Sequence, residues 1–183
     1  MAINHWMSWE GGVDLVAMTQ PGLAAPNLIL HVARVVHTPV GSAASGMVFW
    51  QPDPKGAPAV IGFVSTDPKL AAWFGPHIFA GTPFEKAPAH QAKIAISVAA
   101  DRVGSRIEVA GHVFEVTMSG LSPLAVVNRA AGSPMPFAQQ GLEAAAAKTD
   151  VKINGKAVAV TVPPASMGGS PGACWAPSGI YAR

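Results

Sequence analysis

The chain carries one cysteine, Cys174, in 183 residues. A lone cysteine forms no intrachain disulfide, so nothing in the sequence calls for an oxidising compartment. Charge is scarce as well. Only 12% of residues are Asp, Glu, Lys or Arg, and their balance of +2 is small and scattered, which excludes the basic stripe of a nucleic-acid-binding protein. No window holds the ~18 uninterrupted apolar residues of a membrane span. No basic segment followed by an apolar run opens the chain as a signal peptide would. The expectation is a soluble, cytoplasmic protein with neither membrane nor nucleic acid among its partners. Phosphate loops, dinucleotide fingerprints and nucleophile elbows are missing. The six histidines (His5, His31, His37, His77, His90 and His112) make no helical i, i+4 pair and no Cys/His cluster, so no metal and no cofactor is expected.

Apolar residues, by contrast, make up half the chain. With so few charges to cover a monomer's surface, a homo-oligomer that buries some apolar faces is expected. The length suits one core and one domain. Seventeen prolines and nineteen glycines point to many turns and short strands.

The most informative stretch is Gly62 to Val98. An apolar segment ends at Val64, and Ser65-Thr66-Asp67-Pro68 then has the form of a helix start, a side-chain cap followed by proline in the first turn. A short helix over 67–74 is predicted to stop at Gly75-Pro76. A loop follows, Gly81-Thr82-Pro83-Phe84-Glu85-Lys86-Ala87-Pro88, with an acid, a base and an aromatic side by side. Beyond it Ile94, Ile96 and Val98 alternate as in a strand.

Elsewhere, Trp6 and Trp9 within residues 1–12 suggest an arm packed on the body or on a neighbouring subunit. Pro21 to Pro26 reads as a loop. Strands are expected over Asn27–Val36, Gly46–Gln51 and Ala57–Val64, with breaks at Thr38-Pro39-Val40-Gly41 and Pro52 to Gly56. Residues 93–99, 105–109 and 112–118 read as three antiparallel strands joined by turns at Arg102-Val103-Gly104 and Ala110-Gly111. Pro134 to Pro136 is a break. The alanines of Phe137–Lys148 predict a helix despite Gly141. Asn154-Gly155 marks a hairpin between Val151 and Val158. The proline- and glycine-rich tail from Pro163 holds Cys174, Trp175, Ile180 and Tyr181, which should pin it to the body.

Lys86 is the candidate nucleophile. A lysine forms a Schiff base with a ketone when burial or a nearby cation depresses its pKa. His77, His90 and Lys93 are near it in sequence, and Glu85 or His90 are candidates to move protons. The plainer reading of Glu85-Lys86 is a solvated pair on a loop. Candidate substrate-binding side chains are His31, His37, His77, Phe84 and Trp50. His31 and His37, taken singly, also suit packing.

The order of these segments resembles the acetoacetate decarboxylase-like superfamily over about Leu28 to Leu121. His37-Thr38-Pro39-Val40-Gly41 is similar to that family's S-P-x-G-P-Y segment. Val64 to Ala72 is similar to its strand leading into an alanine-rich helix, Gly81-Thr82-Pro83 to its G-x-P turn, and Asp101 to Val116 to its hairpin. With the resemblance, the expectation is an α+β fold, mainly antiparallel sheet curled into a barrel or half-barrel, carrying the two short helices read above at 67–74 and 137–148. It also implies a lyase of the decarboxylase or aldolase type acting on a small keto or carboxylate compound in a barrel pocket. Where active members carry the Schiff-base lysine this chain has Phe84, with Lys86 two places on, and Ser42-Ala43-Ala44-Ser45 lacks the family's glutamate. A ligand-binding or structural barrel without the family's catalysis is the alternative, and a non-covalent lyase or isomerase built on histidines is a third.

Overall fold

A computed structural model describes residues 5–132 and 135–183. In chain order the strands are β1 (Trp6–Ala17), β2 (Leu28–Thr38), β3 (Gly41–Trp50) and β4 (Val60–Ser65). A helix, α1 (Pro68–His77), follows, then β5 (Ala89–Gln91), β6 (Lys93–Val98), β7 (Arg102–Val109) and β8 (His112–Leu121). The last four are β9 (Ala125–Arg129), β10 (Ala138–Ile153), β11 (Lys156–Val158) and β12 (Ala173–Ala182). They form one sheet in the order β5-β4-β3-β2-β1-β12-β10-β8-β7-β6, with β9 and β11 also paired to β10. None of the described helical segments is long and apolar enough to cross a membrane.

The sheet curls into a nearly closed barrel because one bent stretch serves both of its ends. β5 pairs in parallel with β4, β6 pairs antiparallel with β7, and only Ala92 separates them. The Ala92 N–H donates to the Ser65 carbonyl at 2.8 Å. A parallel neighbour needs a crossover, and α1 with its following loop supplies it. Gly62 makes the approach possible, since a Cβ there would lie 2.1 Å from the Pro88 carbonyl oxygen.

Alternation decides which side chains fill the barrel. Leu15, Leu28, Leu30, Val48, Ile107, Phe114 and Met118 are buried in one interior cluster. A second cluster lies on the outside of the sheet, where Leu70, Trp73 and Phe74 of α1 pack with Phe63, Met47, Trp9 and Phe137. The capping prediction holds: the Asp67 carboxylate accepts from the Lys69 N–H at 2.9 Å. The three-stranded meander and the Asn154-Gly155 turn also hold, and Asn154 and Ala110 take the positive φ that such tight turns need.

Four expectations are corrected. There is one helix among the described residues, because Phe137–Lys148 belongs to strand β10. Helix propensity is a weak prior that tertiary pairing overrides. Here the first half of β10 pairs with both β12 and β9 and the second half with β8. Small alanines suit a strand crowded on both edges. Secondly, α1 runs through Gly75-Pro76. Proline costs one bond of the ladder, but the Ile78 N–H still reaches the Phe74 carbonyl at 2.9 Å, and Ile78 is fully buried. Thirdly, residues 102–104 are strand. Val103 is buried inside the barrel, and the reversal lies just before it, where the Ala99 N–H bonds the Arg102 carbonyl at 2.9 Å. Lastly, the N-terminal segment is part of the sheet where an arm packed on the body or on a neighbouring subunit was expected: β1 is a central strand between β2 and β12. Trp9 does pack on the body, donating from Nε1 to the Ala176 carbonyl at 3.2 Å. The tail is likewise fixed, through β12. Of the predicted break at 134–136, Pro134 lies outside the described residues, as do the first four residues of the expected arm.

Gly141 tests the reassignment of β10. In an exposed helix, Gly141→Ala stabilises by up to about 1 kcal/mol. In the strand, the added Cβ meets the Ser178 carbonyl oxygen at 2.6 Å, so the expected outcome is a loss of about 1–3 kcal/mol. Urea unfolding followed by tryptophan fluorescence reads the sign.

Candidate functional site

The loop that carries the sequence-predicted catalytic residues lies outside the barrel, between α1 and β5. Lys86 is exposed there. Glu85 turns back on its own loop, its carboxylate accepting from the Gly81 N–H at 2.6 Å. Phe84 is half-buried against Phe79 in the outer aromatic cluster. His90 Nε2 bonds the Ile61 carbonyl at 2.9 Å, which ties β5 to β4. His77 stacks on Trp73 with ring centroids 4.8 Å apart. Trp50 is buried in the interior cluster. These side chains do not converge on one recess.

His31 and His37 do stand in polar groups. His31 Nδ1 meets Asp14 at 2.9 Å across β1 and β2. On the far side of Asp14, Cys174 sits at the matching position of β12, its Sγ 3.9 Å from Oδ2. Asp14 thus separates the histidine from the thiol, so the row is no Cys–His relay. Burial, and then the negative charge of Asp14, pushes the Cys174 thiol above the usual thiol range, which suppresses the thiolate needed for nucleophilic chemistry. The expected outcome is no native-state labelling of Cys174 by a disulfide reagent at pH 8 and one equivalent after denaturation in guanidinium.

The most tightly knit polar cluster was not singled out from the sequence. Glu143 on β10 is almost wholly buried and forms a two-pronged pair with Arg129 on β9, at 2.9 Å from Nη1 to Oε1 and 3.0 Å from Nη2 to Oε2. The Ser170 hydroxyl donates to Oε1 at 2.7 Å and Gln139 Nε2 approaches it at 3.3 Å. Arg129 also donates to the Gly169 carbonyl at 3.0 Å. The pair therefore clasps the glycine-rich segment around 168–170 onto the sheet. Burial alone would raise the Glu143 carboxyl, but its bonds to Arg129, Ser170 and Gln139 outweigh that and hold it below the ordinary glutamate value of 4.5.

Arg129 stands between two open recesses. The larger, about 430 Å³, is lined by Ala125 to Arg129, Glu143, Ala145, Ser122 and Pro171. The smaller, about 210 Å³, runs beside Met135, Phe137, Gln139 and Met167. Exposed Val126 lines the larger and exposed Met167 the smaller. Nothing local in the sequence joins Arg129 to Glu143. They meet because Arg129 opposes Gln139 in the β9–β10 register and reaches four residues along β10. A glutamate amid alanines was the visible signal, and it was absorbed into the predicted helix. No family model, curated protein or solved structure matches this chain.

Arg129→Met leaves Glu143 buried without its cation. The expected cost is about 3 kcal/mol at neutral pH, at the low end for a broken buried pair because Arg129 is partly exposed. Since the folded-state carboxyl titrates low, this contribution is fully present above pH 4.5 and shrinks as the pH falls through the lower folded value. Denaturant unfolding of the variant and the parent at pH 7 and pH 3 should therefore show a smaller gap at pH 3.

Proposed function

We propose that this chain is a small-ligand-binding barrel that does not run the imine chemistry of the superfamily it resembles. The observation that carries this reading is the exposure of Lys86 on a loop outside a barrel whose interior is filled with apolar side chains. An imine-forming lysine of that kind works from a desolvated pocket, and Lys86 is exposed. The recess beside Arg129 suits a ligand better. Ala125, Val126, Val127 and Pro171 give it apolar walls, and the Arg129–Glu143 pair gives it a polar end. A small compound with an apolar body and one hydrogen-bonding group is the occupant that this lining favours.

Two measurements test the reading. Borohydride added with acetoacetate should leave no adduct at Lys86 by mass spectrometry. Amide chemical shifts recorded during titration with small carboxylic and keto acids should move over 125–129 and 169–171. A trapped adduct that disappears in Lys86→Ala overturns the proposal, as do shifts confined to the Lys86 loop.

A further inference from the structure

A third polar group, remote from that recess, has the arrangement of a nucleophile, a base and an orienting acid. Ser42 and His37 are direct cross-strand partners on β3 and β2, beside the turn that joins them. Their side chains meet at 2.8 Å, Ser42 Oγ to His37 Nδ1. The other ring nitrogen, Nε2, lies 3.1 Å from Glu10 Oε1. Glu10 is on β1, two positions from the residue that opposes His37, so its side chain comes in from the same face. Arg34 holds the second oxygen of Glu10 at 3.6 Å.

In the neutral ring these contacts select one tautomer. An ionised carboxylate only accepts hydrogen bonds, and a neutral imidazole carries one N–H. Glu10 therefore takes the proton-bearing Nε2–H, which leaves Nδ1 bare. A bare Nδ1 accepts, so the Ser42 hydroxyl donates its proton to it. That is the ground state from which a histidine removes a proton as serine attacks. The His31–Asp14 pair offers a contrast, because its carboxylate's other neighbour is the Cys174 thiol and, among the described residues, no hydroxyl bonds the ring.

We propose that Ser42, His37 and Glu10 form a site for acyl transfer from small, activated carboxylic esters. Ser42 Oγ bonds to the ester carbonyl carbon while its proton passes to His37 Nδ1. The tetrahedral intermediate breaks its bond to the leaving alkoxide, which takes that proton and departs as alcohol, leaving acyl-Ser42. Water, deprotonated by the same nitrogen, then releases the carboxylic acid and restores Ser42. The net change is ester plus water to acid plus alcohol. Ser42 and His37 touch the reacting atoms, and Glu10 is a positioning residue. Ser42 is exposed, and the side chains of His37 and Glu10 retain 37% and 54% exposure. Neither recess at Arg129 reaches them. The site is open to solvent and favours substrates that need no deep pocket. General-base assistance supplies about 10²–10⁴-fold, which sets the scale of the activity.

The test uses the full chain with a fluorophosphonate probe and with p-nitrophenyl acetate. The expected result is one phosphonyl group on Ser42 by peptide mass spectrometry, lost in Ser42→Ala and reduced roughly 100-fold in His37→Gln, the lower range of general-base catalysis. Glu10→Gln should lower kcat with KM unchanged, and Glu10→Asp should restore part of it. Thermal melts of the variants check that each folds. Labelling on another residue, no labelling, or hydrolysis that persists in folded Ser42→Ala overturns the proposal. Ser42→Cys is a second arm: iodoacetamide should alkylate position 42 in the native state, and faster with His37 than with His37→Gln. Equal rates also overturn it.

Discussion

The bond from the Ala92 N–H to the Ser65 carbonyl lies where the sheet meets itself. Everything else about the architecture depends on that meeting. An open sheet of these strands would leave the interior faces of β2, β4, β7 and β8 in water. Curling it joins their leucines, valines, Ile107 and Phe114 into one core, and at about 25 cal/mol per Å² of apolar surface removed from water this is the main favourable term. Close backbone contacts place glycine at Gly62, beside the closure, and at Gly46, where β3 lies against β2. A Cβ at Gly46 would be 1.9 Å from the His31 carbonyl oxygen.

Closure also determines where chemistry can occur. With the interior occupied by mainly apolar side chains, as in a small packed barrel, the polar clusters lie on the other face of the sheet. The Glu143–Arg129 clasp is there because a buried carboxylate on β10 has to be neutralised and hydrogen-bonded to remain charged. Cys174, close by, stays a thiol for the related reason that burial and negative charge both oppose its ionisation. The Ser42–His37–Glu10 group sits at the exposed end of β1–β3, where three strands present side chains in register. The two outer groups differ in kind. The first saturates its charges and holds a segment in place, whereas the second sets one hydroxyl 2.8 Å from one ring nitrogen and stands open to solvent.

The local signals were strongest where a single backbone constraint dominates. Asn154-Gly155 and Ala110-Gly111 were legible because tight hairpin turns demand positive φ. Asp67-Pro68 was legible because a cap and a first-turn proline act within one turn. Alternation at Phe114, Val116 and Met118 reported a strand with one buried face. The misreadings share a cause. Phe137–Lys148 looked helical because propensity counts alanines and not the strands on either side. Gly75-Pro76 looked like a stop because the burial of Ile78 lies beyond local reach. Lys86 drew attention by its neighbours in sequence, while its exposure was set by the loop's path around α1.

The sequence by itself determined the turns at Ala110-Gly111 and Asn154-Gly155, the alternation of the β6–β8 meander, the cap on α1 and the scarcity of charge. Each of these acts through contacts a few residues apart, so adjacent residue types are enough to encode them. Tertiary structure alone decided that residues 138–153 are a strand, that β1 and β12 are central, and that Arg129 finds Glu143. It also decided that Glu10, His37 and Ser42 meet. Those outcomes depend on register between segments 27 residues apart at the Glu10–His37 contact, 40 apart at the Arg129–Gly169 bond and 167 apart at the Trp9–Ala176 bond. Register is a property of the assembled sheet, because a shift of one residue would turn every side chain of a strand to its other face.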